Sequence, residues 1–358
     1  MWKPTPSLYW LLVFVPISFV ADLVLHEPVL VFVTSCVAIV PLAGLIGKAT
    51  EQLAERSGPT VGGLLNATFG NVTELIIGVL LVWAGEFEVV KASLIGSIIG
   101  NLVLVLGASY LAGGLRHRAQ GQRFDAKAAR LHSSSLLLAV AGLVMPAVFV
   151  VASPSETTIQ TKTISLVVGA ALIVLYLAAV AFTLARNGPG RASPISESRE
   201  RVEPEWSMSR SVIVLLGSAI VVGIESEFLV GSLEPTLATL HLPRVFVGMF
   251  VIAFIGNVAE HASAVFFAIR NKMDIAIEIS FSSSTQIALL VAPLLVFVSL
   301  LSSQFMDFIF IPIEVVAVTL ATLIVSVIAM DGRSNWLEGA QLLGVYLILA
   351  VSTLFVTT

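Results

Sequence analysis

Eleven apolar segments, each long enough to cross a lipid bilayer, follow one another along this 358-residue chain. A transmembrane helix needs about 20 predominantly apolar residues. Only 12% of the residues are charged and the mean hydropathy is +0.99, whereas a soluble domain carries about 25% charged residues. We therefore predict an all-α polytopic membrane protein. The predicted spans are 8–25, 28–47, 60–84, 91–114, 131–152, 163–185, 211–230, 244–268, 275–300, 305–329 and 336–356.

The distribution of basic residues predicts the orientation of these spans. Cytoplasmic loops of membrane proteins carry an excess of Lys and Arg. With the N-terminus in the cytoplasm, 16 of the 19 basic residues fall on the cytoplasmic side, and Lys91, Lys162 and Arg244 fall outside. We expect an integral protein of a bacterial-type plasma membrane, with a cytoplasmic N-terminus and an external C-terminus. The first apolar segment has no basic region beyond Lys3 and no clear cleavage site, so we interpret it as a retained span.

A five-residue pattern occurs twice inside the apolar sequence, as GNVTE at 70–74 and GNVAE at 256–260. Placing the first copy on the second also aligns several neighbouring positions. Each half of the chain has five predicted spans, and an odd number of spans gives the two copies opposite orientations. Such inverted repeats place the substrate near the bilayer midplane. The predicted divisions are an extra N-terminal helix in 1–27, five-helix repeats in 28–186 and 210–358, and a cytoplasmic linker in 187–209.

Each motif puts a carboxylate inside an apolar span. An acidic residue at the centre of a transmembrane helix costs at least ~2.5 kcal/mol and usually marks a functional site. On a continuous helix, residues at i, i+3 and i+4 share a face, so the motif Gly, Asn and Glu would line one side. Two carboxylates with amide and backbone oxygens form a set that suits Ca²⁺. The predicted cation- and proton-binding residues are Gly70, Asn71, Glu74, Gly256, Asn257 and Glu260, with Glu74 and Glu260 as the metal ligands.

Polar residues in the following span of each half are further candidates. Ser97 and Asn101 are four residues apart, and Ser283 and Gln286 are three apart, so each pair shares a helix face. These four side chains are predicted as flanking polar ligands. The alternative is that they form hydrogen bonds between helices, or belong to small-residue packing of the type seen in 96–100.

Other ionisable residues are weaker candidates. His261 follows Glu260, and adjacent helical residues point about 100° apart. His261 is therefore predicted to hydrogen-bond nearby or to relay a proton, with a satisfied core histidine as the alternative. Glu225, Glu227 and Glu234 are interpreted as an acidic external loop that attracts cations or is simply solvated.

Four segments carry a resemblance to a known family. GGLLNATFGNVTELIIG (62–78), GNVAEHASA (256–264), SSSTQIALLVAPLLV (282–296) and DGRSNWLEG (331–339) resemble the signatures of the Ca²⁺/H⁺ exchangers, the cation/proton exchanger family of the Ca²⁺/cation antiporter superfamily. The resemblance implies eleven spans, with an extra first helix before two inverted five-helix repeats. It also implies that the two motif glutamates are the central cation and proton carboxylates, and that the motif histidine is His261. Residues that depart from the family pattern, among them Val72, Val258 and Ser282, leave cation selectivity open.

The resulting interpretation is a secondary antiporter that exchanges Ca²⁺ for protons by alternating access. A Na⁺/Ca²⁺ exchanger of the same fold is the alternative, although relatives that use Na⁺ carry hydroxyls and a proline around the motif Glu. An intramembrane enzyme is not expected, because neither a His/Cys ligand set nor a Ser/His/Asp arrangement is present. A passive channel is a third alternative. The expected partners are Ca²⁺ as transported substrate, H⁺ and the lipid bilayer, with a homo-oligomer as an option. Neither a cofactor nor nucleic acid is expected.

Overall fold

The computed structural model describes residues 9–118, 121–153, 158–186 and 205–356. These ranges are almost entirely helical. The helices are α1 (Leu11–Leu25), α2 (Pro28–Phe69), α3 (Val72–Ala84), α4 (Phe87–Arg116), α5 (Ala126–Ala152), α6 (Thr158–Arg186), α7 (Met208–Leu240), α8 (Arg244–Gly256), α9 (Val258–Ile269), α10 (Met273–Ser299), α11 (Pro312–Ile328) and α12 (Trp336–Leu354). Two short strands, β1 (Gln122–Arg123) and β2 (Arg333–Ser334), pair antiparallel.

The helices confirm a polytopic α-helical membrane protein. Among the described residues, eight helices are long and apolar enough to cross a bilayer, or nine if α8 and α9 form one bent span. Helices α1 and α3 are apolar but shorter than the usual spanning length. The predicted total of eleven spans is therefore not confirmed by helix length. Most of the predicted linker, up to residue 204, lies outside the described residues.

Helix α2 is longer than predicted. A loop was expected between the predicted spans 28–47 and 60–84, but one helix runs from Pro28 to Phe69. Residues 48–56 read KATEQLAER, and Ala, Glu, Gln, Leu, Lys and Arg are the strongest helix formers. Gln52 donates to Glu55, one turn later, at 3.3 Å. Polar composition ended the predicted span here, whereas helix propensity carries the backbone onward.

The described residues fall into two compact units. Unit 1 comprises residues up to Leu80 together with Val174–Thr239, and so contains α1, α2, most of α3, the end of α6 and nearly all of α7. Its core is formed by Leu42, Ile46 and Leu53 of α2 against Leu215 and Val222 of α7. Helix α1 packs against this cluster through residues near its N-terminal end.

The start of α7 is fixed to α2 inside unit 1. Trp206 is buried, its N–H donates to Gln52 Oε1 at 3.0 Å, and its carbonyl accepts from Arg56 Nε at 2.6 Å. Lys48 and Arg210 place their cationic groups 5.0 and 4.7 Å from the Trp206 ring centroid. Both backbone polar groups of this buried residue are thus satisfied, as burial requires.

Helix α7 also differs from the prediction. It continues to Leu240, whereas the predicted span ended at residue 230 and an acidic loop followed. Glu227 and Glu234 are exposed, but Glu225 is fully buried near the middle of the helix. The interpretation of Glu225 as part of a solvated external loop is therefore wrong. A cluster of three acidic residues suggested a loop, yet only two of them lie on the exposed side of the helix.

Unit 2 comprises Leu81–Ile173 and Leu240–Thr358. Helix α4 lies at its centre, and Ile95, Ile98, Ile99 and Leu102 are completely buried. A helix that is apolar on all sides is expected at the centre of a bundle.

Element boundaries in the chain recur at the spacing that aligns the two motifs. Helices α3 and α9 begin at Val72 and Val258, the valines of the two motifs. Helices α4 and α10 begin at Phe87 and Met273, which are separated by the same interval. Each of this second pair contains a π-helical segment, at 100–105 in α4 and at 287–291 in α10. π-Helical turns occur frequently at functional sites. Here the first contains the predicted ligand Asn101, and the second directly follows the predicted ligand Gln286.

Candidate cation and proton site

Both Gly-Asn-Val motifs lie at a break in the helical backbone. The chain leaves helical geometry at 70–71, between α2 and α3, and at Asn257, between α8 and α9. Asn257 has φ −97° and ψ 7°, and the axes of α8 and α9 differ by 64°. Glycine and asparagine are both poor helix formers, which explains the position of the breaks. The prediction that the Gly, Asn and Glu of each motif share one face of a continuous helix is therefore wrong.

The break puts each motif glutamate in the first turn of a new helix. Glu74 is the third residue of α3, and Glu260 is the third residue of α9. The first N–H groups of a helix lack intrahelical partners and carry a partial positive charge. Both glutamates are half-buried, and both carboxylate oxygens of Glu74 are inaccessible to solvent. Each carboxylate thus lies close to the positive end of a helix.

Four predicted polar residues form a hydrogen-bonded network within unit 2. The Asn257 amide group donates to Ser97 Oγ and to the Ala253 carbonyl, both at 2.8 Å. Asn101 donates to Asn257 Oδ1 at 3.2 Å and to Ser283 Oγ at 3.0 Å. All four predicted residues are at most 6% exposed. The network joins α4, the α8–α9 break and α10.

One oxygen of this network is left over. Asn101 Oδ1 is buried and has no hydrogen-bond partner among the described residues. An amide oxygen accepts two hydrogen bonds or binds a cation. Because both amide hydrogens of Asn101 are directed at Asn257 and Ser283, its oxygen points elsewhere, and a buried acceptor without a partner calls for an explanation.

Close helix packing brings Ser97 to Asn257. A Cβ added at Gly96 would overlap the carbonyl oxygen of Met249 in α8, and one added at Gly248 would lie 2.7 Å from the Ala92 Cβ in α4. Glycine at interfaces of membrane helices allows this kind of backbone approach. The small-residue packing considered for 96–100 is therefore present at Gly96. It supports the polar network instead of replacing it.

His261 does not make the hydrogen bonds expected of it. The residue is 8% exposed, and neither ring nitrogen has a hydrogen-bond partner among the described residues. Its ring centroid lies 5.5 Å from that of Phe254, and its edge faces Gly100. The alternative interpretation, a core histidine whose hydrogen bonds are satisfied, is therefore wrong. The proton-relay role stays a prediction.

The remaining predicted residues include Gln286 on α10 and those of the first motif, around the break between α2 and α3. Gln286 donates to Ser282 Oγ at 3.2 Å, one turn earlier on α10. Gly70, Asn71 and Glu74 belong to unit 1, where Asn71 is 5% exposed. Sequence reasoning missed Ser284, which contacts the Ile98 carbonyl of α4 at 3.4 Å. The run of four hydroxyl residues at 282–285 was the available signal.

Together, the apolar helices and the repeated helix breaks define a polytopic membrane protein with carboxylates and amides next to breaks between apolar helices. The chain belongs to the Sodium/calcium exchanger protein family, which it matches over residues 27–185 and 210–355.

Individual relatives are similar along almost their whole length. A protein of Synechocystis sp. called Ca²⁺/H⁺ antiporter is 42% identical, over 96% of both chains. The Ca²⁺/H⁺ antiporter ChaA of Bacillus subtilis is 40% identical, over 94% of this chain and 95% of its own. The solved structure of native YfkE has a TM-score of 0.85 at 36% identity, covering 98% of this chain and 100% of its own.

Proposed function

We propose that this protein exchanges Ca²⁺ for H⁺ across a membrane, with Glu74 and Glu260 as the groups that bind the cation and the protons. The observation that carries the proposal is the position of these residues. Each is the third residue of a helix that begins at a Gly-Asn break inside apolar sequence. Relatives about 40% identical over nearly the full length are called Ca²⁺/H⁺ antiporters, which supports this choice of ions.

The helix breaks make reversible ionisation of the glutamates feasible. Removing a carboxylate from water strongly disfavours its charged form. A helix N-terminus offsets part of this penalty, by about 0.3–1 kcal/mol and up to ~2 kcal/mol in partly buried geometries. A glutamate in the first helical turn can thus release its proton when Ca²⁺ arrives, whereas in mid-helix it would keep the proton more tightly.

Charge balance explains the coupling of the two ions. Two carboxylates are neutralised by two protons or by one Ca²⁺. Because both ligands need the same oxygens, their binding is mutually exclusive and the titration is coupled. Two unneutralised carboxylates in a dry site are costly, so the empty transporter rarely returns. Transport of one ion therefore requires countertransport of the other.

The polar network of unit 2 would supply neutral oxygen ligands. Ca²⁺ takes 6–8 oxygens at 2.3–2.6 Å, which is more than two carboxylates provide. We propose Asn101 Oδ1 as the first of these neutral ligands, because it is buried and no described residue bonds to it. Asn257, Ser97 and Ser283 would hold it in place and contribute further oxygens. Gln286, Asn71 and the Gly70 and Gly256 carbonyls complete the proposed set.

We propose that alternating access uses two inverted repeats, 28–186 and 210–358, preceded by an extra helix in 1–27 and joined by the linker 187–209. The separate family matches over 27–185 and 210–355 support this division, as does the recurrence of helix starts at the spacing of the two motifs. Rocking of one repeat against the other is the usual mechanism in such transporters. The proposed location is a bacterial-type plasma membrane, with the N-terminus in the cytoplasm and the C-terminus outside.

The test is Ca²⁺ uptake into proteoliposomes under imposed ion gradients. A pH gradient without Na⁺ should drive ⁴⁵Ca²⁺ against its own concentration gradient, and a protonophore should abolish this uptake. The family description includes sodium/calcium exchange, so a parallel experiment imposes a Na⁺ gradient at equal pH. If only the Na⁺ gradient drives uptake, the coupling ion is Na⁺. Flux that no gradient affects indicates a channel.

A further inference from the structure

Glu225 is a buried acidic group that the proposed exchange mechanism does not use. It lies near the middle of α7 with no exposed surface. Among the described residues, no ion pair includes it. An acidic residue within a transmembrane helix is expected to have a specific partner and a function.

The hydrogen-bond partners of Glu225 come from helix α1. Ser18 Oγ is 2.7 Å from Glu225 Oε1 and also 2.7 Å from the Val15 carbonyl oxygen. Both distances are ordinary for a two-centre O–H···O hydrogen bond. A serine hydroxyl has a single proton. Since the Val15 carbonyl can only accept, Ser18 cannot donate fully to both oxygens.

A proton on Glu225 supplies the second hydrogen that the two contacts of Ser18 Oγ need. The acid O–H then donates to Ser18 Oγ, and the Ser18 hydroxyl donates to the Val15 carbonyl. Both close contacts of Ser18 Oγ become complete hydrogen bonds. With an ionised Glu225, one of the two close oxygen pairs would have no hydrogen between them. The geometry therefore matches a carboxylic acid better than a carboxylate.

The second oxygen of Glu225 leads to the same conclusion. Glu225 Oε2 is buried and has no hydrogen-bond partner among the described residues. Ser35 of α2 is close enough to the carboxyl group to act as a donor, but in the described part of the chain neither Ser35 Oγ nor Glu225 Oε2 has a partner with ordinary hydrogen-bond geometry. A buried carboxylate oxygen without a donor is far costlier than the carbonyl oxygen of a neutral acid.

The charged groups on the surrounding helices do not alter this environment. On α7 itself, Glu227 and Glu234 are exposed. On α1, Asp22 is partly exposed, and α2 has no charged residue before Lys48. No described cation is paired with Glu225, so a proton is the available neutralising ligand.

We propose that Glu225 is a proton-binding site separate from the exchange carboxylates, occupied at neutral pH, where the bound proton fastens α1 to α7. The contact is reinforced one turn along α7, where Phe19 and Phe228 pack edge to face with centroids 5.0 Å apart. Loss of the proton would leave a buried negative charge at the seam between these helices. The attachment of the first helix is therefore sensitive to alkaline pH.

Infrared difference spectroscopy of the full-length protein in lipid tests this proposal. The spectrum of the wild type minus that of Glu225→Gln, at neutral pH, should contain a carboxylic-acid C=O band that shifts in D₂O and persists in saturating Ca²⁺. Glutamine is the suitable replacement, because its amide N–H can donate to Ser18 as the acid does. A difference spectrum with carboxylate bands alone, or an acid band that Ca²⁺ removes, would overturn the proposal.

A second variant keeps the test decisive if Glu225→Gln fails to insert. Ser18→Ala leaves the acid in place but removes its acceptor, so the acid band should move to higher frequency. Ser232→Ala is the matched control, because Ser232 donates only to carbonyls of its own helix and its loss should leave the band unchanged. An acid band that does not move in Ser18→Ala would also refute the assignment.

Discussion

Alanine substitutions at two glycines of α4 test whether backbone packing assembles the polar network. Gly96 and Gly100 are one turn apart in the same buried helix. At Gly96 an added Cβ would overlap the Met249 carbonyl of α8, whereas at Gly100 the nearest atom is in the His261 ring at 3.8 Å. Gly100 has φ −56° and ψ −50°, which alanine adopts without strain. The same chemical change is thus disruptive at one position and tolerated at the other.

The expected magnitudes follow from two opposing terms. Alanine in place of a helical glycine stabilises a helix by roughly 0.5–1 kcal/mol. Overpacking costs about 1–3 kcal/mol, and occasionally more. The upper end applies at Gly96, because the obstructing atom belongs to the backbone and cannot change rotamer. We expect Gly96→Ala to destabilise by about 2 kcal/mol net, roughly 30-fold in the folding equilibrium, and Gly100→Ala to be neutral or slightly stabilising.

The assays are thermal unfolding in detergent and Ca²⁺ exchange in proteoliposomes. Gly96→Ala should lower the unfolding temperature and reduce exchange, since separation of α4 from α8 lengthens the 2.8 Å contact between Ser97 and Asn257. Gly100→Ala should keep the wild-type unfolding temperature. Equal unfolding temperatures and exchange rates for the two variants would refute the packing argument.

Three further predictions concern transport and topology. Glu74→Gln and Glu260→Gln should each abolish ⁴⁵Ca²⁺ exchange while the protein stays inserted, because one negative charge and one proton site are lost. Glu227→Gln, at an exposed position, is the control. Near-normal exchange in either motif variant would contradict the proposed site. Apparent Ca²⁺ affinity should rise with pH, because protons compete for the same oxygens. Displacement of two protons raises this affinity by up to about 100-fold per pH unit while both carboxyls are protonated. A pH-independent affinity would exclude competition. In a Cys36→Ser background, a cysteine at Ser198 should react with a membrane-impermeant thiol reagent only after permeabilisation, and labelling of sealed cells would reverse the predicted orientation.

Patterns along the chain were enough to predict the membrane-spanning class of this protein and its exchanger family. The length of an apolar segment predicts a transmembrane helix, because in the bilayer core the backbone N–H and C=O groups can hydrogen-bond only within the protein. A carboxylate in such a segment stands out in the sequence for the same energetic reason, and the repeated motifs at Glu74 and Glu260 pointed to the exchanger family. Helix termini were harder to predict. The continuation of α2 through 48–56 depends on local helix propensity, which outweighs the polar composition that marks a span end.

Contacts between distant segments were decided only by the tertiary structure. The sequence identified Ser97, Asn101, Asn257 and Ser283 as polar residues in apolar spans, but hydrogen bonds between residues so far apart in the chain depend on how closely the glycines let helices approach. Glu225 shows the converse. Its neighbours in sequence suggested a solvated loop, and its burial against Ser18 of α1 arises from helix packing. A helix that is apolar on most sides, like α7, has no clear stripe to show in the sequence which side packs inward.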